Sequence, residues 1–113
     1  MKHETIPAIK SESLEMIEKL ISFDTTSRDS NLGLIEWVRD WLKRYGVESS
    51  LVYNQEKNKA NLFATIYGKA GEAGKLTAPG IVLSGHTDVV PVDGQAWASD
   101  PFKATIKIGR AHV

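Results

Sequence analysis

The hydrophobic period of this chain changes once, near Gly46, and that change sets what the chain can fold into. Before Gly46 the apolar residues recur at spacings of three and four. Leu14, Ile17 and Ile21, with Leu20 beside them, predict a helix starting at Ser11, its free backbone N–H groups within reach of a Ser11 or Ser13 hydroxyl. Leu34, Ile35, Val38, Trp41, Leu42 and Tyr45 predict a second helix over 31–45, with Ser30 or Asn31 at its N-cap. Glu36, Arg39, Asp40, Lys43 and Arg44 fall mostly on the other side and read as a solvated face. Trp37 and Trp41 read as packing residues of this helix. Gly46 stands where a left-handed C-terminal stop belongs.

After Gly46 strands are predicted over 47–53 and 61–67. In the second, Leu62, Ala64 and Ile66 alternate with Phe63, Thr65 and Tyr67. Residues 54–59 form a polar turn between them. The glycine-rich stretch 68–80 reads as an exposed loop. The run Ile81-Val82-Leu83 predicts a short strand buried on both faces. Residues 86–102, with Pro91, Gly94 and Pro101, form a long loop, and 102–107 start another strand. Two helices followed by several strands predict an α/β layered domain.

Composition excludes several functions. The fourteen basic residues offset fourteen acidic ones, so nothing favours nucleic acid or an anionic membrane surface. No cysteine is present, which removes disulfides and thiolate metal sites and leaves His, Asp and Glu as metal donors. No apolar stretch follows Lys2 on the scale of a signal peptide, roughly 7–15 residues. With Met1 in place, the expected localisation is the cytoplasm.

The stretch that carries chemistry is Leu83-Ser84-Gly85-His86-Thr87-Asp88. Ligand sites in open α/β sheets form beyond the carboxyl ends of strands. In extended chain, residues two apart share a side, so His86 and Asp88 can face one crevice. Gly85 removes a side chain where the backbone comes close to something. A neutral imidazole binds zinc through one nitrogen and needs an acceptor on the other. Asp88 is either that acceptor or a group acting on a catalytic water through a neighbour. By residue type alone, such a pair in a turn also reads as solvated loop.

The run from Ser84 through Pro91-Val92-Asp93-Gly94 to Trp97, continued by Asp100-Pro101-Phe102, resembles the first metal-binding motif of the M20 metallopeptidase family. That family includes acetylornithine deacetylases, succinyl-diaminopimelate desuccinylases, aminoacylases and carboxypeptidases. Phe23-Asp24-Thr25-Thr26-Ser27, Ser30-Asn31-Leu32 and Pro91-Val92-Asp93-Gly94 are similar to the deacetylase branch. The resemblance covers residues 11–107. It implies the N-terminal part of a zinc-peptidase-like three-layer α/β/α catalytic domain, with an incomplete sheet.

It further implies that His86 binds one of two zinc ions and that Asp88 orients it, with cobalt as an alternative metal. A glutamate base would activate a water that attacks an amide carbonyl, the metals lowering the water's pKa and polarising the carbonyl oxygen. The implied substrate is a small N-acyl amino acid, N-acetyl-ornithine in the deacetylase branch, on the route to arginine. Nucleic acid and membrane are not implied partners. A homodimer is implied only for the full-length protein, through an inserted lid domain.

The remaining ligands of the family are not found here: a bridging Asp, a Glu-Glu pair, another acidic ligand and a distant His. His3 and His112 do not match them by motif. The 113-residue chain is therefore expected to be inactive and to leave sheet edges and apolar faces exposed. A non-catalytic binding module is the competing reading. Residues 108–113, Ile-Gly-Arg-Ala-His-Val, can be encoded by the opening of a widely used sequencing adapter and read as a non-native tail. Trp97 and Phe102 either line the crevice or pin the long loop to the domain. Residues 68–80 lack the Lys-Ser/Thr ending of a phosphate loop. Ser27 and Ser84 show no triad pattern, and Asp93-Gly94 reads as a turn.

Overall fold

The computed structural model describes residues 11–68 and 79–106. The chain divides into two compact units, Met1–Asp24 with Pro91–Val113, and Thr25–Val90.

The first unit contains helix α1, Ser11–Ile21. Its apolar stripe forms as predicted but is thinly covered: Leu14 and Leu20 are half-buried, while Ile17 and Ile21 are exposed. The helix ends where Ser22 turns its hydroxyl back onto the Lys19 carbonyl, at 2.7 Å. Lys19 lies in the last turn, where a cation meets the negative end of the helix dipole, and its Nζ sits 4.9 Å from the centre of the Phe23 ring. In the same unit the long loop is tied to itself. Gln95 Nε2 donates to the Pro91 carbonyl and Trp97 Nε1 to the Val92 carbonyl, each at 3.1 Å. Gly94 takes a φ of 71°, the left-handed turn expected at Asp93-Gly94. The strand predicted over 102–107 is not formed in its described residues, 102–106. A turn occupies 101–102 instead, with the Phe102 N–H donating to Asp100 Oδ1 at 2.9 Å.

The second unit holds helix α2, Leu32–Arg44, and two strands, β1, Ser49–Tyr53, and β2, Ala60–Ala64. Leu34 and Ile35 are buried with Ala60 where α2 meets the strands. Burying each of those two aliphatic side chains contributes about 1.5–3 kcal/mol. On the exposed side of α2, Asp40 accepts a hydrogen bond from Arg39 at 2.9 Å and raises that guanidinium's pKa, first through the bond and then through its charge. An exposed pair of this kind adds little stability. The Trp41 and Tyr45 rings meet tilted at 45°, 4.7 Å between centres.

The C-terminus of α2 closes as its glycine predicts. Gly46 has a φ of 73°, its N–H donates to the Lys43 carbonyl, and the Val47 N–H reaches back to the Leu42 carbonyl. These bonds satisfy carbonyls that the helix end leaves open. β1 and β2 pair antiparallel with Leu51 opposite Leu62. In β2, Ala60, Leu62 and Ala64 turn inward while Asn61 and Phe63 stay exposed, the alternation read from sequence. The connecting turn is organised by Asn54, whose Oδ1 accepts from the N–H groups of Asn58 and Lys59 at 3.0 and 2.9 Å.

Besides the strand over 102–107, three predicted strands are shorter or missing: β1 begins at Ser49 rather than at 47. β2 stops at Ala64 rather than Tyr67, its last pair being Ala64 with Ser49. The predicted strand Ile81-Val82-Leu83 is not formed, and those side chains are 90%, 83% and 92% exposed. A strand needs a neighbour to take its backbone N–H and C=O groups, and among the described residues none lies alongside this run. The architecture is thus mixed helix and strand with a two-stranded antiparallel sheet, compatible with an incomplete α/β fragment. Among the described residues no helix is long and apolar enough to cross a membrane.

Candidate functional site

Residues 86–88 are held from one side by the segment that precedes α2. Thr25 and Thr26 are buried polar residues, 5% and 2% exposed. Burying a hydroxyl is costly unless it is hydrogen-bonded. Thr25 Oγ1 donates to the Thr87 carbonyl. The Val89 N–H donates to the Thr25 carbonyl at 3.1 Å, and the Ser27 N–H donates to the Val89 carbonyl at 2.9 Å. Thr26 and Val89 thereby form a parallel bridge. The Ser27 hydroxyl also points at the Val89 carbonyl, so Ser27 is spent on the backbone.

Asn31 completes the hold. Its Nδ2 donates to the Ala60 carbonyl at 2.9 Å and to Thr87 Oγ1 at 3.2 Å, while its Oδ1 accepts from the Ala60 N–H at 2.9 Å. Two more ties bind this segment to the hairpin turn: Ser30 Oγ to the Asn58 carbonyl, and Lys59 Nζ to the Ser27 carbonyl.

With Thr87 fixed on the inner side, His86 and Asp88 project outward, their side chains 85% and 59% exposed. His86 Nδ1 lies 2.8 Å from the Asp88 carbonyl and 3.2 Å from Asp88 Oδ1. A main-chain carbonyl only accepts, so Nδ1 carries the proton in this contact. In the neutral ring that leaves the Nε2 lone pair facing solvent. The structure therefore brings together the two residues singled out in the sequence.

The donor chemistry suits one position on a zinc ion: a neutral imidazole nitrogen, with a carboxylate on the opposite ring nitrogen. It does not supply a whole site. Among the described residues no group of three or more His, Asp or Glu is close enough to share a metal. His86 would be the residue that meets such a metal, and Asp88 the one that holds its ring.

Other readings are corrected. Gly85 does not mark a close approach, since a Cβ built there would meet nothing within 4 Å. No strand leads into His86; the turn is positioned by the Thr25–Val89 ladder instead. Trp97 and Phe102 belong to the other unit, where the Trp97 indole ties its own loop. His3 and His112, like residues 69–78 of the glycine-rich loop and residues 107–113, lie outside the described residues. Sequence reasoning missed Thr25, Thr26 and Thr87 as supports of the site. It left the N-cap between Ser30 and Asn31; the position is Asn31, yet its side chain makes no capping bond.

Comparison with known proteins supplies the family. An acetylornithine deacetylase of Pasteurella multocida is 39% identical over 104 residues, covering 86% of this chain and 25% of that protein. A succinyl-diaminopimelate desuccinylase of Nautilia profundicola is 34% identical over 96 residues, covering 85% of this chain and 23% of that protein. An acetylornithine deacetylase of Shigella sonnei is 39% identical over 85 residues, covering 74% of this chain and 20% of that protein. The chain thus spans about a quarter of the length of the curated relatives it matches. No family model matches it, and no solved structure does. Over roughly four-fifths of its length, this chain is a homologue of the M20-family acetylornithine deacetylases and succinyl-diaminopimelate desuccinylases.

Proposed function

We propose that this chain is part of the catalytic domain of a two-metal amidohydrolase that removes the acetyl group from N-acetyl-ornithine. His86 would be a ligand to one metal and Asp88 the carboxylate that holds its ring. The observation that carries the reading is the contact of His86 Nδ1 with Asp88, which leaves Nε2 open on the exposed side. When bound, a zinc pair polarises an amide carbonyl and lowers the pKa of water. Asp88 fixes the tautomer and the direction of the His86 ring, and so raises its basicity as a ligand. The remaining ligands and the base would come from elsewhere in the parent protein. In this reading residues 1–107 are catalytic-domain sequence, residues 108–113 are a foreign tail, and the parent is a cytoplasmic homodimer on the route to arginine. Cobalt could replace zinc.

The match to a desuccinylase supports a second reading, removal of succinate from N-succinyl-diaminopimelate. The parent locus, read past codon 107 and expressed, decides between them when offered both substrates. Release of acetate from N-acetyl-ornithine, lost about 100-fold or more together with metal content in His86→Ala, is the expected result. A parent without a bridging Asp and a Glu-Glu pair, or one whose zinc content is indifferent to His86, would sink the amidohydrolase reading and favour a binding module.

A further inference from the structure

Asn31 holds the N-cap of α2 without capping it. At this position an Asn side chain ordinarily accepts from a backbone N–H of the first helical turn. Here the Ser30 hydroxyl accepts from the Leu32 N–H instead, at 3.2 Å. The Asn31 carboxamide is turned away from the helix. It pairs with both backbone groups of Ala60 at the start of β2, and its second N–H reaches Thr87 Oγ1. Thr87 is the middle residue of the small ring closed by His86 Nδ1 and Asp88. Its carbonyl is taken by Thr25 and its hydroxyl by Asn31.

We infer that Asn31 is a positioning residue of the site: through the Thr87 hydroxyl it fixes the turn that keeps His86 in its Nδ1–H tautomer, with Nε2 free to bind a metal. The inference rests on the reading of His86 as a ligand, yet its test needs no metal. Thr25 and Ser27 hold the backbone of the turn, and Asn31 holds the Thr87 side chain; a turn loosened there holds the Asp88 carbonyl on Nδ1 less firmly, and an unconstrained imidazole favours the proton on Nε2. Asn31 acts because it is itself immobile, anchored at two points on a buried residue of the sheet.

The experiment is long-range nitrogen–proton NMR of the 113-residue chain carrying His3→Gln and His112→Gln, so that one imidazole reports. It is run at alkaline pH, so that tautomers of the neutral imidazole are compared. The unsubstituted Asn31 and Thr87 background should show mostly the Nδ1–H form. Thr87→Val keeps the branched shape and leaves the Asn31–Ala60 pair intact. It should lower the ratio of Nδ1–H to Nε2–H about threefold or more, the scale of one hydrogen bond's contribution. Thr87→Ser, which restores the hydroxyl, should return the ratio. Asn31→Ala should match Thr87→Val. Amide protection of Val52 and Asn61 reports the β1–β2 ladder throughout.

A ratio unmoved in Thr87→Val and Asn31→Ala overturns the inference and leaves the proposed function standing. A reference chain that already shows the unconstrained ratio overturns the geometry on which both rest. Loss of the ladder in Thr87→Val also overturns the inference, since the contact would then support the fold at large. If Asn31→Ala alone loses the ladder, Thr87→Val and Thr87→Ser decide.

Discussion

His86 is held by one neighbour on one nitrogen and, among the described residues, by nothing on the other. That asymmetry limits what the chain can bind. Catalytic zinc ordinarily takes three protein ligands, and the described residues bring one imidazole to the surface. Zinc titrated calorimetrically into the 113-residue chain is therefore expected to bind weakly, without a stoichiometric break. Nanomolar one-to-one binding would show that a complete site forms without the family's other ligands. At this scale the site was partly legible. His86 and Asp88 stand two residues apart in a polar turn, and their contact is local. Asn31 was not legible as their support, because its partners Ala60 and Thr87 lie 29 and 56 residues away in sequence. An Asn before an apolar stripe reads as a cap, and only tertiary structure diverts it.

The elements that match the sequence are those closed by their own residues. α2 is closed off by the left-handed Gly46 just beyond its end, and the hairpin turn is organised by Asn54. The Gly46 position isolates backbone conformation from packing. Its φ is 73°, and a Cβ there would meet nothing within 4 Å. Gly46→Ala should therefore cost about 1–2 kcal/mol, the penalty of a left-handed L-residue, with no steric addition. Urea unfolding followed by circular dichroism measures it, and Gly46→Asn should lose less, since Asn tolerates that region. A loss well above this range in Gly46→Ala would mean the glycine serves packing after all. The elements that failed depend on partners far away. Ile81-Val82-Leu83 has the apolar content of a buried strand but no neighbouring strand among the described residues, and 65–67 outrun the length of β1. Composition fixes which face of a strand is apolar; it does not supply the second strand.

Across the molecule, few large apolar side chains among the described residues are buried. Phe63, Ile66 and Val90 are exposed along with Ile81, Val82 and Leu83. A surface of this kind favours association and binds apolar dyes. Sedimentation of the 113-residue chain should show concentration-dependent association, reduced by the double substitution Ile81→Lys with Leu83→Lys. A monomer at all concentrations would show that these side chains are covered in solution. The mixed helix-strand class was evident from the single change of period at Gly46. The exposed run was not, because burial is decided by what packs against a segment rather than by its own residues. The ladder between Thr25–Ser27 and Val89 has a kinetic consequence. Its side-chain ties span 62 residues, whereas the hairpin closes through a six-residue turn. Closing long loops is entropically expensive and contributes only once the ends have met. The hairpin can form early and alone, and the turn that carries His86 takes shape only when the two ends of this unit come together. The chemistry-bearing residues are thus the last part of this unit to be built, and the first to be lost when it loosens.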